Sequence, residues 1–437
     1  MKLALAMPGA LLFAAMQISG RALDTSLFRG DANHTGVYDA TGKDNPPQIK
    51  WKLHTDGRIY SSPAVADGVV YFGSTDHLFY AVNSETGTVK WTFKTGAGIT
   101  SSPAVSDGHV YFGSYDGNFY ALDAATGKPA WKFETGGERR YSGKHLHGME
   151  PAGETMPDPF DFYLSSPVLS SDSVFFGSGD GNVYALNGST GTLLWRVETG
   201  NVVHASPAIW NGTLFIGSWD TYFYAIDVAT GHVKWRFKTG EDEDIHNQTG
   251  IQSSAAVVDG TVYFGCRDSN LYALDAETGQ KKWVFNNKGS WVISSPAASQ
   301  GKVYFSTSDS GMFYALDAKT GAAAFSLSLK WPMFSSPAVA GTKVYIGSNE
   351  GKLIAIDTAT QKTAWTFQTD GSRENGAAWT QADGGPNYRA AFTDNFYEDG
   401  IIGVRKMLSV GAILSSPVAV GDVIFFGSSD GNLYAVQ

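Results

Sequence analysis

Two groups of residues in this chain have types and spacings that could do chemistry. The first lies in three stretches rich in charge and aromatic rings: GERRYSGKHLHGMEPAGETMPDPFDFY, GEDEDIHNQTG and SRENGAAWTQADGGPNYRAAFTDNFYEDG. His145 and His147, one residue apart, could offer two imidazoles to a metal ion if the backbone is extended, with a carboxylate completing the set. The EDED run beside His246 clusters the oxygens that calcium prefers. Both patterns also read as solvated loops bonding to themselves. The second group consists of His204, Trp219, Gln252, Arg267, Trp291 and Trp331. Aromatic faces combined with an arginine and a histidine around one opening suit a planar ligand that is anionic or polar. The competing reading is that the same side chains pack the three stretches.

What places the second group around one opening is a repeat. Residues 69–96 read VVYFGSTDHLFYAVNSETGTVKWTFKTG, and 109–136 read HVYFGSYDGNFYALDAATGKPAWKFETG. A Ser-Ser-Pro or similar mark recurs at Pro63, Pro103, Pro167, Pro207, Pro296, Pro337 and Pro417, and SSAA with Ala255 is an eighth copy. A tryptophan mark recurs at Trp91, Trp131, Trp195, Trp235, Trp283 and Trp365, with Phe325 once in its place. Within each unit, alternating aromatic and β-branched residues are broken by Asp-Gly and Thr-Gly turns, the pattern of successive hairpins. No stretch of comparable length has a helical period. Four strands per repeat of about 40 residues predict an all-β protein, a β-propeller of four-stranded blades.

The count predicts how the ring closes. There are eight first strands but only seven fourth strands after them. The missing one stands at the other end, in Ile49-Lys-Trp51-Lys-Leu-His-Thr55. The expectation is an eight-bladed propeller whose N-terminal strand completes the last blade, leaving no open edge. The repeated tryptophans are expected to pack between blades. The aspartates before the Thr-Gly loops, Asp123 among them, are expected to cap turn amides.

Function is then expected where the repeat fails. The three chemically rich stretches fall in expanded connections at 137–164, 241–252 and 368–413. Each joins a fourth strand to the next first strand, so all three emerge on one face and form a roof. The residue before each Ser-Ser or Ala-Ser pair, including His204 and Gln252, should lie near the channel mouth. The residue after each Gly-Ser or its equivalent, including Trp219 and, after Gly265-Cys266, Arg267, should sit in turns on the same side.

Composition narrows the class. A formal charge of −10 argues against nucleic acid or an anionic membrane surface as partner. The single cysteine, Cys266, excludes an internal disulfide. Residues 1–22 read as a cleaved secretory signal, with Lys2, an apolar run and a small-residue site at Gly20-Arg-Ala22. Residues 23–437 then form a single domain. No cysteine lies near the expected cleavage site, so a lipid anchor there is not expected.

At YALDAATGKPAWKFETG the chain resembles the pyrroloquinoline-quinone (PQQ)-type eight-bladed propellers, over about residues 28–437. FRGDANHTGVYDATG is similar to the entry segment of bacterial members. The resemblance implies one of two roles. Quinoprotein alcohol dehydrogenases bind PQQ and calcium at the mouth of the ring, whereas the BamB type keeps the propeller without catalysis. The chain departs from both, lacking the adjacent cysteine pair and a Cys-x-x-Cys-His haem site of the first and the lipidation cysteine of the second. The expected role is a periplasmic or secreted, non-catalytic binding or assembly module of the cell envelope, monomeric, with an envelope protein or a small planar or polar ligand as partner. The alternative is a PQQ- and calcium-dependent dehydrogenase of an alcohol or sugar.

Overall fold

A computed structural model describes residues 25–240 and 249–437. The expected signal lies outside the described residues, as do most of the 241–252 connection and His246. Eight four-stranded antiparallel sheets follow one another around a ring. Blade one shows the common plan, with strands Ala64–Ala66, Val69–Gly73, Leu78–Asn83 and Val89–Lys94. Closure is by the N-terminal strand Ile49–His54, which pairs antiparallel with Asn432–Val436 in the eighth blade. Gln48 and Gln437 exchange backbone hydrogen bonds of 2.8 Å beside it.

The repeated residues hold blade to blade. Trp91 donates its indole N–H to the carbonyl of Ala124 in the next blade at 3.1 Å, and Trp131 to that of Gly188 at 2.8 Å. The indole lies on the glycine of the neighbouring Thr-Gly loop. A Cβ on Gly127 would fall 2.6 Å from the Trp91 ring, and its φ of +71° suits glycine as well. Asp123 accepts from both the amide and the hydroxyl of Thr126, at 2.8 and 2.6 Å. Deeper in, phenylalanines stack across blade interfaces, Phe79 on Phe112 at 4.0 Å and Phe119 on Phe176 at 3.9 Å.

The Ser-Ser-Pro mark has a structural role of its own. The backbone N–H of Ser62 donates to the Ser102 hydroxyl at 2.9 Å, Ser102 to Ser166, and so on through Ser206, Ser254, Ser295, Ser336 and Ser416, which returns to Ser62 at 2.9 Å. Eight bonds form a closed cycle around the axis, each adding about 0.5–1.5 kcal/mol. The small serine side chain supplies the hydroxyl acceptor at each step.

The connection at 368–413 departs from the all-β pattern of the repeats. It folds into α1 (Asp370–Trp379), α2 (Tyr388–Ala391) and α3 (Tyr397–Leu408). These helices are short and carry glycines where they pack: a Cβ on Gly403 would meet Phe392 at 2.3 Å, and one on Gly400 would meet Met149 at 2.4 Å. Packing has overridden a weak local preference.

Candidate functional site

Four consecutive blades present their irregular turn residues to one inserted loop. These are Tyr115, Gly179, Trp219 and Arg267, and the loop is 137–164. Instead of arching over the mouth, this loop descends into it. Gly179 donates its N–H to Glu138 at 2.7 Å. Trp219 stacks on Tyr141, centroids 4.4 Å apart and planes 13° apart. The Arg267 guanidinium lies between two indoles, 4.3 Å from the ring of Trp219 and 4.3 Å from that of Trp291. Arg267 donates to Asp158 at 2.5 Å and to Gln252 Oε1 at 2.7 Å. Gln252 in turn donates to the carbonyl of Phe160 at 3.2 Å. Asp158 also receives the Phe160 amide at 2.8 Å and faces His147 Nε2 at 3.1 Å. Arg267 and Asp158 are 1% and 0% exposed. Burial disfavours the Asp158 anion, but the Arg267 charge and His147 outweigh it and hold the carboxyl well below the usual carboxylate range.

A second buried pair lies alongside. His204 Nδ1 meets Asp161 at 2.8 Å, and its Nε2 lies 3.5 Å from Glu138. Burial pulls the imidazole down, yet Asp161 and Glu138 more than compensate and raise it to about 10, so His204 is a buried cation at neutral pH. Asp161 also accepts the Tyr141 amide at 2.8 Å. Asp158 and Asp161 thus fasten the DPFDFY segment to blades four and five. In the sequence they stood out only as acidic residues of the insertion. Their spacing, two carboxylates framing Pro-Phe, was the available signal.

The rest of the channel is closed. Seven of the eight residues preceding the serine pairs, all but Tyr60, line an axial cavity of about 40 Å³ with the serine cycle. Tyr163 lies across its upper end and donates to the carbonyl of Leu414 at 2.9 Å. The remaining sequence candidates separate. Trp331 is fully buried and donates to Gly384 at 3.1 Å, anchoring the 368–413 insertion instead of joining Arg267. His145 is half-exposed, with Nδ1 3.1 Å from the Met149 carbonyl, while His147 turns to Asp158. The pair does not converge, and among the described residues no group of three or more His, Cys, Asp or Glu is placed to hold a metal ion.

Open space lies elsewhere, in a cleft of about 450 Å³ between the first and third insertions. Its walls include Phe160, Trp291, Phe334, Phe392, Tyr388 and Asp309. The Trp291 indole N–H has no hydrogen-bond partner. Burial by these walls pushes the Asp309 carboxyl above its ordinary value. Next to the cleft the third insertion exposes Tyr388, Phe396 and Ile402, at 38%, 60% and 44%. Among the described residues no helix is long and apolar enough to cross a membrane.

The model of the family described as outer membrane protein assembly factor BamB matches residues 40–156, 147–286 and 285–437. No curated protein matches the sequence. Among solved structures, BamB from Moraxella catarrhalis is similar at a TM-score of 0.65 and 17% identity, covering 90% of this chain and 100% of that one. A europium-containing methanol dehydrogenase has a TM-score of 0.67 at 14% identity, covering 95% and 98%. A quinohemoprotein alcohol dehydrogenase from Comamonas testosteroni has 0.68 at 14%, covering 95% and 80%. At these identities the likeness is one of fold, and it spans both non-catalytic and catalytic propellers.

Proposed function

Since the chain belongs to the family described as outer membrane protein assembly factor BamB, we propose that it is a non-catalytic binding module of the cell envelope whose ligand-facing surface is the roof. The observation that carries this reading is the filled mouth. A PQQ site in the funnel needs free aromatic faces, free cationic donors and room for three fused rings. Here the two indole faces hold Arg267, the arginine donors are taken by Asp158 and Gln252, and the axial cavity is about 40 Å³. The residues present in the funnel do not fit PQQ with calcium. The cleft beneath the third insertion, with its aromatic walls and exposed Tyr388, Phe396 and Ile402, supports a face for an apolar, partly aromatic group of a partner. The expected compartment is the periplasm.

The test is reconstitution. Purified protein is mixed with PQQ and calcium, desalted, and read by absorbance and by reduction of an artificial acceptor dye with alcohols and sugars. No retained PQQ and no dye reduction are expected. Stoichiometric PQQ surviving desalting, with substrate-dependent dye reduction, would overturn the reading in favour of a dehydrogenase.

A further inference from the structure

The segment before the closing strand does more than lead into it. Residues 25–40 run beneath the ring at the end of the inner strands remote from the roof. The amides of Val65, Val105, Ile209, Val257, Ala298 and Val339 donate to the carbonyls of Thr25, Ser26, Ala32, Asn33, Thr35 and Gly36, at 2.7–3.1 Å. Phe28 closes the lower end of the axial cavity.

Within this segment sits a buried cation that no carboxylate touches, Asp31 acting on it only through space. Arg29 is 1% exposed. Its one hydrogen bond goes from Nη2 to the Pro296 carbonyl at 3.1 Å, and Nε and Nη1 have no partner. The chain folds back so that Gly36 lies against the guanidinium, where a Cβ would fall 2.1 Å from Nη2. Two more buried polar side chains share the fold-back. His34 is 1% exposed, with the Ala255 backbone near its ring but outside ordinary hydrogen-bond geometry, and Tyr38 is 3% exposed with an unpartnered hydroxyl. The carboxylate closest in sequence, Asp31, is engaged with the amide and hydroxyl of Thr35. Arg29 and His34 also hold left-handed backbone, with φ of 63° and 57°, a conformation side chains disfavour.

Burial lowers Arg29 only to about 10, so the guanidinium stays charged at neutral pH. Burial and the Arg29 charge drive His34 down to about 3, and burial raises Tyr38 to about 12, so both are neutral. The cluster therefore sets the Arg29 cation, with the Asp31 carboxylate near but not touching it, among several unused N–H and O–H donors in a dry place. A buried charged group with unfilled donors is strongly unfavourable.

We propose that a small monovalent inorganic anion of halide size is bound against Arg29, with Tyr38 and His34 as further donors, sealing the lower end of the propeller. The ion carries no more than one charge, because Asp31 already offsets part of the Arg29 cation through space. Exposures of 1–3% leave no way in for a larger anion. The inference does not depend on what the roof binds.

The experiment uses the whole protein, purified in halide-free buffer and titrated with sodium bromide at constant ionic strength, the melting temperature being the readout. Crystals grown in bromide are examined at the bromine absorption edge. Wild type should show a saturable rise of about 3 °C at a hundredfold excess over Kd, and an anomalous peak within hydrogen-bond reach of Arg29 Nε and Nη1. Arg29→Gln should lose both. Because that variant can fail to fold, Tyr38→Phe is the second, and it should fold and shift the titration to higher bromide. A wild-type crystal with water alone at Arg29, or a bromide response identical in wild type and Tyr38→Phe, would refute the site.

Discussion

The Arg267–Asp158 contact sets the strength of the plug, and its removal can be worked through. In Arg267→Met, Asp158 stays buried with only His147 and the Phe160 amide as partners. Removing one member of a buried ion pair costs about 3–5 kcal/mol, because the remaining charge is stranded. The two indole contacts at 4.3 Å add about 0.5–2 kcal/mol each where desolvated, partly replaced by the methionine stem. The ring itself needs neither charge, since other blades place Thr75, Gly179 or Ser429 at the same turn. The loss therefore falls on the docking of 137–164. If docking is worth less than the loss, the loop detaches and the ring stays closed. Denaturant melts and limited proteolysis separate the cases: the expected result is a melt lowered by about 3 kcal/mol or new cleavage within 137–164. The pair Arg267→Met/Asp158→Leu should recover part of this, with a coupling of about 2 kcal/mol or more in the double-mutant cycle. An Arg267→Met protein within 1 kcal/mol of wild type and uncut in the loop refutes the reasoning, since it would mean that the buried charge pair holds nothing.

Other consequences are simpler to state. His204 is raised to about 10 in the folded protein, so the stability it gives is complete below its unfolded value of about 6.5 and is lost as pH rises through 10; wild type should weaken between pH 7 and 10 in melts, and His204→Gln should flatten that slope. Asp158 acts in the opposite sense, its contribution being present above about pH 4 and lost on acidification, so Asp158→Asn should reduce the loss of stability in acid. Trp131→Ala removes a partly buried indole and a 2.8 Å bond to the next blade, which should cost about 2–4 kcal/mol by urea melt; a change below 1 kcal/mol would remove the tryptophan from the blade contact. Deleting residues 23–55 takes away the closing strand and bares Asn432–Val436, and aggregation or loss of cooperative unfolding on a thermal scan is expected.

The ring was legible in the sequence because the sequence repeats. Pro63, Trp91 and Gly127 each fall at a fixed offset, and counting first and fourth strands was enough to place Ile49–His54 in the eighth blade. The register also located the channel: seven of the eight residues before the serine pairs, all but Tyr60, line the axial cavity. What fills the mouth was not legible. Arg267 and Asp158 are 109 positions apart, and nothing local to either tells a ligand from the chain's own loop. The helices of the third insertion were hidden for another reason. Gly371, Gly376, Gly400 and Gly403 dilute any helical period, and Gly371, Gly400 and Gly403 stand where close packing excludes a side chain.

The departures from the repeat divide by what they touch. Trp219 and Arg267 are large where most other blades carry a small turn residue, Gln252 is polar in a set that is mostly apolar, and each is accounted for by a contact to residues 137–164. Ordering that loop costs about 1–2 kcal/mol per residue in backbone entropy, so a dense set of stacked rings and buried ion pairs is what keeps it seated. These irregularities are the means by which the chain fills its own funnel. Tyr388, Phe396 and Ile402 have no such account. They are apolar and turned to solvent, next to a cleft whose Trp291 donor is unused. Exposed apolar groups around a concave surface are stabilised by being covered. Phe396→Glu and Ile402→Glu should therefore change the melt by no more than about 0.5 kcal/mol while lowering the affinity for whatever apolar group the roof accepts, measured with a hydrophobic dye as the probe. A strong loss of stability in these two variants, with dye binding unchanged, would instead make them packing residues and move the binding face off the roof.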